Sequence, residues 1–354
     1  MIRVIIIGLF IAVCAGCNKE ESSSPIPVKV VVVTMFEIGE DEGDTAGEFQ
    51  LWKERVPLTK KMPFPNSFHD IYMNEEKGVL AIVTGIGTAK STSATMALGM
   101  DPRFDLSKAY WLVAGIAGID PEDASIGSAA WAEYLVDADL AHEIDAREIP
   151  EDWETGYFAR YTSKPYDPNK PEPTGEMFRL NPALTEWAYQ LTKDLELPDF
   201  PSLSETRELY VNHPNARKKP FVMKGDQLAG MTFWHGEIMN TWANKWVDYW
   251  TEGKGEFVTS AMEDTGTYQS VSYLTNIGRA DVDRLMVLRT GSNYSMQSPD
   301  KTAAESLLQE NEGYAGLEAS MESAYLVGIT VVDELLNNWD HYKDNTPTST
   351  STVE

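Results

Sequence analysis

Ser260–Gln269 reads SAMEDTGTYQ and directly follows the short apolar run Phe257-Val258-Thr259. An apolar strand that ends in Met-Glu and passes into small, helix-compatible residues delivers one carboxylate, Glu263, to the mouth of a sheet. The thioether of Met262 stands beside it. That pairing suits a ribose, whose vicinal hydroxyls need an acceptor and whose flat face needs something soft and apolar to lie on. Two other stretches read as partners of this one: Val83–Lys90, VTGIGTAK, and Leu288–Met296, LRTGSNYSM.

Outward from there, strands and helices alternate in the manner of an α/β fold. Val28–Met35, VKVVVVTM, is a nearly continuous β-branched run, the pattern of a central strand buried on both faces. The turn Phe36-Glu37-Ile38-Gly39-Glu40-Asp41 sits at its carboxyl end, where open α/β sheets bind ligands. Glu37 and the acids after it are candidates for chemistry there, and an acidic solvated loop is the alternative. Val79–Thr84 is a second buried strand that runs into Gly85-Ile86-Gly87 and then the Ala/Ser/Thr-rich helix Thr88–Met100. Glycines at that crossing let a ligand come close, and the helix start offers free N–H groups. Tyr110–Ala114 reads as a third strand closed by Gly115-Ile116-Ala117-Gly118, and Ala129–Asp139 as a further one.

Glu148 to Met223 is rich in prolines, aromatics and charges without a sustained period. It reads as long loops with one helix near Pro182–Leu195, laid over the sheet edge or a neighbouring subunit. Phe233 and Trp234 are adjacent aromatics that suit stacking on a purine, with core packing as the alternative. Leu285–Thr290 is the last buried strand and delivers Gly291-Ser292-Asn293 to the same edge. Leu317, Met321, Ala324, Gly328, Val331 and Leu335 mark the buried face of a closing helix, Gly316–Tyr342.

The balance of 29 basic against 55 acidic residues leaves a formal charge of -26. Such a chain repels nucleic acid and anionic membranes, whereas a neutral ligand is compatible with it. At the start, Arg3, the apolar run Val4–Val13 and Cys14-Ala15-Gly16-Cys17 have the order of a signal peptide. The segment resembles a bacterial lipobox, which implies a signal peptide over 1–17, lipid attachment at Cys17 and a polar tether over 18–27. One domain follows over 28–342, then a disordered tail over 343–354. The expectation is a bacterial envelope lipoprotein facing the periplasm, at the outer rather than the inner membrane, held to the membrane through that lipid only. Beyond the leader no stretch approaches about 18 consecutive apolar residues, so the chain is not expected to form a helical pore.

Several loops match a known pattern in order. VTGIGTAKSTSATMAL, VAGIAGI followed by IGSAAWAEYLVDADL, SAMED and RTGSN resemble the purine nucleoside phosphorylase and methylthioadenosine nucleosidase superfamily. The long middle section, GDQLAGMTFWHG and the MEDTGTY variant are closer still to the purine nucleoside permease family. The resemblance implies an α/β nucleoside phosphorylase-like fold, three-layer α/β/α with a mixed, partly barrel-like central sheet, a purine nucleoside as ligand, and possible homo-oligomers. No cofactor or metal is expected. It makes Met262 and Glu263 the ribose site and places Asn293, after Ser292, at the purine imidazole edge. Gly115 and Ala117 would line the base pocket with Ser292, Phe233 and Trp234, while Gly85 and Gly87 would lie near the anomeric carbon. An Asn in that place points to inosine or guanosine over adenosine.

Phosphorylases of the superfamily hold phosphate with arginines after the first strand and before the GS-type loop. Here those places carry Phe36-Glu37 and Trp111-Leu112-Val113, so the hollow is expected to hold acid groups and no positive ones. A phosphate dianion beside Glu37 would be repelled, by several kcal/mol if the site is dry. Glu37 is then the expected base that takes a proton from water. Asn293 can hydrogen-bond N7 of the leaving purine but cannot donate a full proton, so solvent or Asp264 would assist. The expected activity is purine nucleoside hydrolysis. Its alternatives are a non-catalytic nucleoside-binding or uptake component, a phosphate-dependent phosphorylase, and a purely structural lipoprotein.

Overall fold

The computed structural model describes residues 24–348. The expected signal peptide, Cys17, most of the tether and the last residues of the tail lie outside them.

The valines of Val30–Thr34 alternate between two hydrophobic cores. Val30 and Val32 join Trp52, Leu184 and Val327 on one face, and Val31 and Val33 join Leu98, Val271 and Leu274 on the other. Because both faces of the strand are covered, every position can be apolar, and this produces three layers. The layers surround a mixed sheet of 12 strands among the described residues. Its centre is the ten-residue strand Tyr110–Ile119, flanked in parallel by Val30–Thr34 and by Leu285–Tyr294. Past Val113 the strand leaves Val30–Thr34 and takes Phe257–Ala261 as an antiparallel neighbour at Gly118 and Ile119. The sheet branches there, a large mixed sheet as the resemblance implied.

Two glycine-rich segments that read as loops are therefore strand. Gly115–Gly118 continues Tyr110–Ala114, and Gly291–Asn293 continues Leu285–Thr290, because the two pair with each other. Gly291 lies opposite Ala117 and Asn293 opposite Gly118, with a register irregularity between. Ala129–Asp139 is instead two strands, Ala129–Trp131 and Tyr134–Asp137.

Helices Thr88–Met100 and Asp264–Asn276 cover one face and pack closely because their contact residues are small. A Cβ on Gly266 would come within 2.5 Å of Thr92 Oγ1, and one on Gly99 within 2.1 Å of Leu274. Their close approach sets the start of the first helix against Met262 and Glu263. The closing helix runs Leu317–Asn337 and breaks at Asn338 before the turn Trp339–Tyr342.

The section expected to hold one helix holds two, Pro182–Thr192 and Pro201–Glu208. Its strand Met177–Arg179 pairs with Tyr134–Asp137 at the sheet edge. The second helix is short and mostly polar, so no apolar stripe marks it. The tail expected to be disordered is tied down at its start: Arg284 Nη2 donates to the Lys343 carbonyl, and Lys108 pairs with Asp344.

Candidate functional site

At the carboxyl ends of the central strands lies an open cavity of about 250 Å³, at the small end of ligand sites. Met262 and Glu263 from the opening stretch line it, with Met35, Phe36, Glu48 and Arg289. Glu263 is buried, and its Oε1 accepts from Gly87 N at 2.8 Å. Thr88 Oγ1 donates to the Met262 carbonyl at 2.7 Å and Ser91 Oγ to that of Glu263 at 2.9 Å, so the helix start clamps the Met-Glu turn.

Arg289 stands in an otherwise apolar strand and is 1% exposed. Its Nε and Nη2 reach both oxygens of Asp264, at 3.0 and 2.7 Å. Nη2 also donates to Glu263 Oε2 at 3.0 Å, and Nη1 to the Ile116 carbonyl at 3.0 Å. Burial works against the guanidinium charge, but Asp264 and Glu263 outweigh it and hold the group protonated. The expectation of a hollow without positive groups is therefore overturned. The cation comes from a strand interior, not from the two places where phosphorylases of the superfamily carry their arginines. It is, however, a cation whose Nε and Nη2 are held by carboxylates, while Nη1 serves the Ile116 carbonyl and lies 4.0 Å from Glu48. Asp264, suggested as an aid to the leaving base, is locked behind Arg289 and does not line the cavity.

Glu37 does not line the cavity either. Its carboxylate accepts the backbone N–H groups of Ile38, Gly47, Phe49 and Gln50, filling the free donors at the start of helix Gln50–Arg55. Glu40 is exposed, and Asp41 is bonded to Tyr72 and His69. The carboxylate that faces in is Glu48, at the far side of the acidic loop. Oε2 of Glu48 accepts from Met35 N at 2.7 Å and Oε1 from Ile116 N at 2.8 Å, and Arg289 Nη1 lies 4.0 Å away. Burial pushes its carboxyl up to about 8, against the pull of Arg289. Burial also raises Glu263.

Gly115 lies beneath this charged cluster and does not line the cavity; a Cβ there would stand 2.1 Å from Met35 Cε and 2.5 Å from Glu48 Oε1. Ala117, Ser292 and Asn293 do line it. Gly85 and Gly87 do not. Both have positive φ, 83° and 101°, and the turn they make projects Ile86 at the cavity instead. Of the two adjacent aromatics, Phe233 lines the cavity, near-parallel to Tyr314 with ring centroids 6.4 Å apart. Trp234 lies to one side, in a smaller adjoining pocket, and packs on Trp242 and Phe257. The cavity thus has a charged end, Glu48, Glu263 and Arg289, and an uncharged end, Asn293, Ser292, Phe233 and Tyr314. Arg289 and Asn293 are four residues apart on one strand, at most about 13 Å at 3.3 Å per residue.

Residues 27–347 match the family described as purine nucleoside permease. The chain belongs to the purine nucleoside permease family. Two curated relatives bear that name: one from Schizosaccharomyces pombe is 28% identical over 284 residues, covering 78% of this chain and 80% of that one. The other, from Candida albicans, is 28% identical over 323 residues, covering 88% and 76%. Both are fungal, which points to a eukaryotic origin and overturns the expectation of a bacterial periplasmic lipoprotein. Among solved structures, the fold matches a 5'-methylthioadenosine/S-adenosylhomocysteine nucleosidase mutant of Helicobacter pylori. The TM-score is 0.52 at 14% identity, over 87% of this chain and 99% of that one. A futalosine hydrolase of the same organism matches with a TM-score of 0.50 at 15% identity, over 87% and 98%. At such identities the likeness establishes the nucleoside phosphorylase-like fold alone. No helix among the described residues is long and apolar enough to cross a membrane.

Proposed function

We propose that this member of the permease family binds purine nucleosides in the cavity and cleaves their N-glycosidic bond with water, giving purine base and ribose. One observation carries the reading: Glu48 and Glu263 meet at one end of a cavity whose other end is uncharged and aromatic. A ribose at the charged end donates hydrogen bonds from its hydroxyls to Glu263 and lies on Met262. Glu48, the nearest other carboxylate, takes the proton of the attacking water, the role expected earlier of Glu37. The positive charge that grows on the sugar as the bond breaks sits among these carboxylates, which favours the transition state over the neutral substrate. The base leaves toward Asn293 as its anion and takes its proton from solvent, because an amide donates no full proton.

Water is favoured over phosphate because Arg289, the one cation lining the cavity among the described residues, has Nε and Nη2 on Asp264 and Glu263 and only Nη1 turned toward Glu48. A phosphate dianion would have to compete with a buried, bidentate carboxylate while facing Glu48. The second reading, nucleoside binding or uptake without cleavage, has the relatives' name in its favour. Incubation of the protein with inosine, guanosine and adenosine in phosphate-free buffer, followed by chromatography, separates these readings. Free base is the expected result. Base that appears only after phosphate is added refutes hydrolysis, and nucleoside that binds and stays intact refutes catalysis.

A further inference from the structure

Asn293 meets the cavity at its uncharged end, and its amide is held from behind. Nδ2 donates to the Tyr294 carbonyl and to Glu310 Oε1, each at 3.2 Å, while Oδ1 accepts from Ser292 Oγ at 3.0 Å. Both acceptors of Nδ2 belong to the protein, so the free lone pair of Oδ1 is what the amide has left for a ligand. Glu310 ends the helix Ala303–Glu310, and its Oε2 is buried without a partner. His235 lies next to it, with its Nδ1 3.5 Å from Glu310 Oε1. The imidazole side chain is 1% exposed, and neither ring nitrogen has a hydrogen-bond partner among the described residues. A buried carboxyl and a buried imidazole with unused polar atoms are costly for packing alone.

We propose that Glu310, backed by His235, is a positioning residue that decides which end of the Asn293 amide a bound base meets. The inference rests on the nucleoside reading above. An ionised Glu310 only accepts, so it holds Nδ2 and leaves Oδ1 for a base that offers an N–H. A proton taken from solvent onto Glu310 lets its O–H donate to Oδ1, which offsets the bond to the Tyr294 carbonyl that the amide gives up when it turns over and offers Nδ2 to a base acceptor. Nitrogen and oxygen of the amide are nearly the same size, so the partners alone set its orientation. Adenine carries an amino donor at the position where hypoxanthine carries a carbonyl acceptor. High pH therefore favours adenosine and low pH favours inosine.

The surroundings place that change near neutrality. Burial pushes Glu310 up to about 7, against the Asn293 hydrogen bond, and pushes His235 down to about 4, so Glu310 is the group that titrates. Tyr210 and Tyr314 are the other titratable groups that feel its charge, and both are raised above the ordinary tyrosine value by burial. Lys301, bound to Gln309, and Asp300, bound to Ser298, lie in the same region.

The test is calorimetric binding of adenosine and inosine from pH 5.5 to 8.0, in a Glu48→Gln background so that the nucleoside stays intact. The two ligands share a sugar, so titration of Glu263 cancels in their affinity ratio. The adenosine-to-inosine ratio is expected to rise by roughly ten-fold across this range, the worth of about one neutral hydrogen bond. Adding Glu310→Gln should flatten it, and Glu310→Asp should keep the rise. A ratio that is constant with pH, or one that rises equally with Glu310→Gln, overturns the positioning role. Failure of both nucleosides to bind at every pH overturns the nucleoside reading itself, and the positioning role with it.

Discussion

Glu48→Gln lowers nucleoside cleavage by roughly a hundred- to ten-thousand-fold, the usual worth of a positioned general base. Nucleoside affinity stays nearly unchanged, because Glu263 and Met262 are untouched. Glutamine keeps the volume but has one oxygen where Glu48 uses two, so Met35 N or Ile116 N loses its acceptor. Circular dichroism and nucleoside binding separate that loss from the loss of the base. The pH profile carries the sign. A base must be ionised to act, and Glu48 is raised to about 8, so wild-type kcat/KM climbs from acid pH and levels off only above about 8. The climb is about ten-fold per pH unit while Glu48 is the only group changing. The residual rate of Glu48→Gln lacks that climb. A wild-type profile flat from pH 6 to 8 refutes the assignment.

Arg289→Met destabilises the fold by about 3–5 kcal/mol, the scale for breaking a buried ion pair from one side. Asp264 is completely buried and Glu263 nearly so, and methionine leaves both without their cation. Urea unfolding reads the loss as a lower midpoint at an unchanged slope. The double variant with Asp264→Asn should recover part of it, since the orphaned charge goes as well. A loss below about 1 kcal/mol would mean that the pair contributes little to the fold.

Met262 and Glu263 were legible because both lie in one local signal, an apolar strand passing straight into a helix. Glu48 was not, because thirteen residues and several other acids separate it from the strand end at Thr34. Nothing in their spacing says that Glu37 is consumed by backbone N–H groups while Glu48 turns inward. Arg289 had a signal that went unused: a charge inside an apolar strand must find buried carboxylates, and SAMED supplies two of them. The glycine runs at 115–118 and 291–293 read as turns from composition alone, yet each is the other's strand partner, a long-range fact. Phe233 and Trp234 look alike in sequence, and only the path of the loop sends one to the cavity and the other to the core. The two-core arrangement was plain from the valines of Val30–Thr34, whose neighbours on both faces had to be apolar. Glu310 and His235 carried no sequence signal, since each gains its meaning from Asn293, distant in the chain.

The most direct test of the whole account is the identity of the sugar released from inosine or adenosine in buffer containing millimolar phosphate, followed by phosphorus and proton NMR. Hydrolysis through Glu48 predicts free ribose and an unchanged phosphate signal. Ribose 1-phosphate, or a nucleoside that stays intact, would contradict it.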